Sequence, residues 1–127
     1  TSDAKKILRD EVKLTDAVKQ LGNMAGLISG LIEHDFERIG KSLQDVIVEP
    51  VRSILIPFYH QMRTLALEKG ALGLSISGSG PSMFCFIKEV GASDEIIDAA
   101  RALYGTHEIE VISFVSGINK QGAKIIE

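Results

Sequence analysis

The chain has 127 residues, 45% of them apolar and 24% charged, with a formal net charge of −3. That length suits one domain with a real core and is too short for two. An acidic balance without any basic block argues against nucleic-acid binding, which needs clustered Lys and Arg against phosphates. The single cysteine, Cys85, lies in an apolar run and has no partner for an internal disulfide, so a reducing cytosol is the expected compartment. No signal-peptide pattern opens the chain. The charge-free stretch Gln20 to Ile32 is interrupted by Asn23, Ser29 and three glycines, too short and too polar for a span of about 20 apolar residues. The chain starts Thr1-Ser2-Asp3 without Met, which fits a piece of a longer protein.

In chain order, the first half reads as helix. Ser2 or Asp3 is placed to cap a short helix through Leu8. A longer helix follows from about Thr15. Leu14, Ala17, Val18, Leu21, Met24, Ala25, Ile28, Leu31 and Ile32 recur at steps of three and four and predict one buried apolar stripe. Gly22, Gly26 and Gly30 sit four apart on the same helix. Tight helix packing is the plainer account of that strip; a ligand or a second domain pressing on it is the sharper one. A third helix is expected over Phe36 to Val46, interrupted at Glu49-Pro50, because the residue before proline is driven away from helix. A fourth is expected from about Pro57 to Lys69, punctuated by Gly70, with Phe58, Met62 and Leu65 on its buried face.

The period then changes. Leu72, Leu74 and Ile76 alternate with Gly73, Ser75 and Ser77, a strand with one bulky and one small face. Met83 to Ile87 is wholly apolar and predicts a strand buried on both faces. Ser93, Asp94 and Glu95 begin a helix that buries Ile96, Ile97, Ala100 and Leu103 and ends at Gly105. Ile109 to Val115 predicts a further strand, and Gly122 to Ile126 a last short one. The order is that of an α+β chain with a helix-rich first half and an antiparallel sheet. It matches a ferredoxin-like split βαββαβ unit whose first strand would lie upstream of Thr1. Residues 1–127 read as one domain.

Two constellations carry chemistry. Ser77-Gly78-Ser79-Gly80-Pro81-Ser82 is a glycine-rich loop between two strands. Its free N–H groups and hydroxyls suit an anion nest, and its composition equally suits a hairpin turn. No Gly-Lys-Ser/Thr follows, so it is not a Walker loop. Arg52 follows Glu49-Pro50-Val51, and its guanidinium fork suits a carboxylate or phosphate. An ion pair with Glu49 or Asp45 is the plainer alternative. The spacing of His34, His60 and His107 fits no metal site, and ordinary surface positions are expected for all three. Cys85 reads as a small core residue.

Leu72-Gly-Leu-Ser-Ile-Ser-Gly-Ser-Gly-Pro-Ser-Met-Phe resembles the third conserved motif of the GHMP kinases. Asp45-Val-Ile-Val-Glu-Pro-Val-Arg-Ser-Ile-Leu-Ile-Pro, Thr1-Ser-Asp-Ala-Lys and Gly122-Ala-Lys-Ile-Ile resemble segments of the homoserine kinase branch, in order along the whole chain. The resemblance implies ATP- and Mg2+-dependent phosphorylation of the side-chain hydroxyl of L-homoserine, in threonine biosynthesis. It implies that Arg52 helps to hold the substrate carboxylate. Lys5 stands where the family has a second arginine, keeping the charge and losing the fork. Ser77, Gly78, Ser79, Gly80 and Ser82 would support an ATP loop, Pro-x-x-x-Gly-Leu-Gly-Ser-Ser-Ala, that belongs to an N-terminal domain and does not occur here. No catalytic residue and no metal ligand is therefore expected in this chain. The expected partners are L-homoserine, ATP, the N-terminal domain and a second subunit. Another GHMP kinase, or an amino-acid-binding ferredoxin-like module, is the alternative.

Overall fold

The computed structural model describes residues 6–123 and 125. The helix expected over residues 2–8 starts in residues outside that set, as does Lys5. Helix α1 spans Leu14–Glu33 and ends at His34, whose left-handed φ of 56° lets its N–H bond Gly30 O. Asp35 then caps α2 (Phe36–Ser42), its side chain accepting from Arg38 N at 2.9 Å. The α2 helix stops four residues short of the expected Val46, because Leu43 leaves helical geometry. Asp45 Oδ1 accepts from both Ile47 N and Val48 N at 2.8 Å and turns the chain into α3 (Glu49–Arg52). Glu49-Pro50 therefore begins a helical turn and does not interrupt one. Proline tolerates a first turn, where its missing N–H has no intrahelical acceptor to lose. A 3-10 turn, Ser53–Leu55, leads to α4 (Tyr59–Glu68), entered through Phe58 in left-handed conformation and followed by Gly70 at φ 94°.

Strands β1 (Ala71–Ile76) and β2 (Met83–Ile87) form an antiparallel pair with Gly73 opposite Phe86, Leu74 opposite Cys85 and Ile76 opposite Met83. A bulge falls between Ala71 and Gly73. Helix α5 spans Ala92–Gly105. Ser93 lies inside it, its hydroxyl donating to Val90 O, and Gly91 takes the cap position. The core gathers Tyr59, Met62 and Ala66 of α4, Ala71 and Leu74 of β1, and Ile96, Ala100 and Tyr104 of α5. Tyr104 Oη donates to Pro57 O at 3.0 Å, tying the end of α5 to the approach to α4.

Three further expectations change. The apolar stripe of α1 is not buried: Leu14, Val18, Leu21, Met24, Ile28 and Ile32 are all more than half exposed. Its opposite, glycine-bearing face is the one that packs. A Cβ on Gly26 would strike Ser42, and one on Gly30 would meet Ile39 Cγ1 at 3.0 Å. Close approach between helix axes selects small residues over apolar ones, which is the plainer of the two accounts given for the strip. Second, β2 is not covered on both faces. Met83, Cys85 and Ile87 pack on the core, while Phe84, on the other face, is 38% exposed. Third, Ile109–Val115 forms no strand. Val111 packs on the core, but Ile112 and Phe114 are exposed and the segment has no ladder partner among the described residues. In a split βαββαβ unit the last strand pairs with the first, and the described residues hold no first strand. Gly122 and Ala123 are likewise outside any strand, and Lys124 and Ile126 lie outside the described residues.

Helix α2 approaches β1 so closely that a Cβ on Gly40 would stand 2.8 Å from Leu72 O, while nothing lies within 4 Å of one on Gly22. Gly40→Ala is expected to cost roughly 1–3 kcal/mol through overpacking against backbone. Gly22→Ala is expected to stabilise by up to about 1 kcal/mol through helix propensity. Urea unfolding of the two variants checks both signs.

Candidate functional site

The loop between β1 and β2 is closed by its own backbone. Ser77 N donates to Ser82 O at 2.8 Å and Gly80 N to Ser77 O at 3.2 Å. Gly78 and Gly80 take φ of 62° and 75°, a region that other residues enter only at a cost, and the Gly80–Pro81 peptide is cis. A Cβ on Gly80 would also meet Ile56 Cδ1 at 3.0 Å. Among the described residues no acceptor takes the N–H of Gly78 or of Ser79. The loop is thus a hairpin turn that leaves two adjacent donors at its tip. The two readings of its composition do not exclude each other.

Arg52 meets this loop. Its Nη1 donates to Gly78 O at 2.7 Å, joining α3 to the turn between the strands. It pairs with neither Glu49 nor Asp45. Among the described residues its buried Nε has no hydrogen-bond partner and its Nη2 makes no bond. A carboxylate or phosphate could therefore be gripped only at the terminal end of the guanidinium, the Nε edge being closed by burial. Ser77, Gly78, Ser79, Gly80, Ser82 and Arg52 come together in one place. His34, His60 and His107 are exposed, and His107 stacks on Phe58 at 4.0 Å between ring centres. Burial raises the pKa of the Cys85 thiol, as befits a packing residue. Among the described residues no group of three or more His, Cys, Asp or Glu is placed to hold a metal ion. Donors at the loop tip fit a phosphate; the described carboxylates do not make a magnesium site.

Two features escaped sequence reasoning. A cleft of about 520 Å3 opens beside α3, where Arg9, Val12 and Lys13 face Val48, Pro50 and Val51. No motif marks it, because it is made by segments far apart in sequence. The other is a polar cluster under the loop, Glu49, Tyr59, Arg63 and Ser75, whose members looked like ordinary helix and strand residues. Tyr59 is 2% exposed, and its hydroxyl, beside Glu49, lacks a bond of good geometry.

The family model described as GHMP kinases C terminal matches residues 27–106, from within α1 to just past α5. The chain belongs to the GHMP kinase C-terminal family. A crystal structure of homoserine kinase from Cytophaga hutchinsonii superimposes with a TM-score of 0.92 at 44% identity, over 99% of this chain and 40% of that one. Homoserine kinase of Chloroherpeton thalassium is 39% identical over 99% of this chain and 40% of its own length. That of Pyrococcus horikoshii is 43% identical over 72% of this chain and 32% of its own length. The chain thus spans about 40% of the length of the first of these curated relatives. Among the described residues no helix is long and apolar enough to cross a membrane.

Burial, and then the neighbouring Glu49, raise the pKa of the Tyr59 phenol. A phenol raised on folding contributes stability that is complete below the unfolded tyrosine pKa of about 10 and is lost as pH rises through the folded value. The urea midpoint is therefore expected to fall above pH 10, and to fall less in Tyr59→Phe. Tyr104, Cys85 and Lys41, whose pKa values are also raised, contribute to the residual slope.

Proposed function

We propose that this chain is the substrate-side, C-terminal domain of a homoserine kinase, in which ATP phosphorylates the side-chain hydroxyl of L-homoserine on the route to threonine. The observation that carries the reading is the bond between Arg52 and Gly78. That contact between the selective Glu-Pro-x-Arg segment and the general GHMP loop supports a shared site. The names borne by relatives at 39–44% identity support the same acceptor.

Phosphoryl transfer is governed by positioning and by electrostatic stabilisation around the phosphates. This chain's share would be the Gly78 and Ser79 donors, the loop hydroxyls of Ser77, Ser79 and Ser82, and the outer guanidinium of Arg52 for the substrate carboxylate. Lys5 would add a second positive charge to that carboxylate. ATP and magnesium would be held chiefly by an N-terminal domain, the chain's first partner, and a second subunit would complete a homodimer in the cytoplasm. The exposed stripe of α1 leaves apolar surface for such contacts.

The purified 127-residue chain is expected to give no turnover of ATP with homoserine. The full coding sequence containing it is expected to phosphorylate homoserine in preference to mevalonate. Within the full protein, Arg52→Ala removes charge-assisted hydrogen bonds worth about 1.5–3 kcal/mol, so kcat/KM for homoserine should fall roughly 10- to 150-fold. Full activity of the short chain, or an unchanged kcat/KM in Arg52→Ala, overturns the assignment. Tight calorimetric binding of threonine with no ATP dependence would instead favour an amino-acid-binding module.

A further inference from the structure

The Glu49 side chain is only 14% exposed. A carboxylate is taken from water at a cost of several kcal/mol unless partners surround it. Here Oε2 accepts from Ser75 Oγ at 2.9 Å, and Oε1 faces Arg63 Nε at 3.9 Å. Beside it lie two buried donors that have no hydrogen-bond partner among the described residues, Tyr59 Oη and Arg63 Nε. As a stabilising device this cluster is poor, since one hydrogen bond and one long ion pair offset the desolvation of several polar groups. A buried pair of that kind is commonly replaced by apolar residues without loss of stability. Its value is better sought in what it holds in place.

The bonds fall in register. Glu49 opens α3 and binds Ser75; Arg52 closes the same turn, three residues on, and binds Gly78, three residues on in the strand-and-loop direction. Both bonds span 26 residues of sequence. They are two rungs between α3 and the end of β1, one buried and one at the surface. A slip or tilt of α3 at the Glu49 rung would carry Arg52 away from the loop. Resting on the kinase reading for its consequence, we propose that Glu49 is a positioning residue: its bond to Ser75 fixes α3 on β1, and thereby sets both the shape of the Ser77–Ser82 loop and the aim of Arg52.

The test is hydrogen exchange on the full protein containing this chain, read on peptides covering Ser77–Ser82, with α5 (Ala92–Gly105) as the internal control. Glu49→Ala, which takes away the acceptor, is expected to speed exchange in the loop at least tenfold and leave α5 unchanged. Ser75→Ala, which removes the same bond from the donor side and disturbs no charge, should do likewise. In an Arg52→Ala background, Glu49→Ala should add little, because it acts through Arg52. Unchanged loop exchange in Ser75→Ala, or effects of Glu49→Ala and Arg52→Ala that simply add, overturns the proposal. In the activity arm, Glu49→Ala should raise KM for homoserine about tenfold with kcat within threefold of wild type, and Glu49→Gln, whose amide oxygen can still accept from Ser75, should recover part of it. If the wild-type protein does not phosphorylate homoserine, the kinase reading fails, and the exchange experiment still decides the role of Glu49.

Discussion

Helix α2 can lie on β1 only because Gly40 and Gly73 lack side chains. A Cβ on Gly40 would press on Leu72 O, and one on Gly73 would stand 2.9 Å from Leu43 Cδ2. This approach fixes β1 between α2 on one side and the α4–α5 core on the other. With four of its six residues buried, the strand becomes the reference on which the rest is aligned. The loop at its end inherits that rigidity, and so does the turn that carries Arg52, through Ser75.

The loop and Arg52 show how a local motif and a tertiary contact differ in what they reveal. Glycines at 78 and 80 announce a left-handed backbone to anyone reading the chain, and the backbone is left-handed at both. That Arg52 would reach Gly78 O was not legible, because 26 residues separate them and no periodicity links a helical turn to a hairpin. The resemblance to GHMP kinases suggested that both belonged to one site but not that they touch. The ion pairs weighed for Arg52 failed for a similar reason. Glu49 is only three residues away in sequence, yet its carboxylate points toward Ser75 and Arg63.

Helices with clear three-and-four spacing were readable, and α1, α4 and α5 begin and end within about two residues of expectation. Which face of α1 would pack was not. Hydrophobicity pointed one way and residue size the other, and at a close helix–helix crossing size decides. The strand over Ile109–Val115 failed on a different ground. Val111 packs on the core, while Ile109, Ile112, Phe114 and Val115 are exposed. A strand, however, exists only as half of a pair, and local pattern cannot supply the other half. Lys5, the remaining candidate ligand, lies outside the described residues and keeps the standing that the resemblance gave it.

The open face of α1 also bears on how this chain exchanges heat and denaturant with its surroundings. Side chains from Leu14 to Ile32 are already hydrated in the folded state. Unfolding therefore uncovers less new apolar surface than is usual for a chain of 127 residues. Both the heat-capacity increment and the denaturant slope scale with that newly uncovered surface. The isolated chain should thus have a broad, shallow unfolding transition, and covering the α1 face with another protein surface should sharpen it.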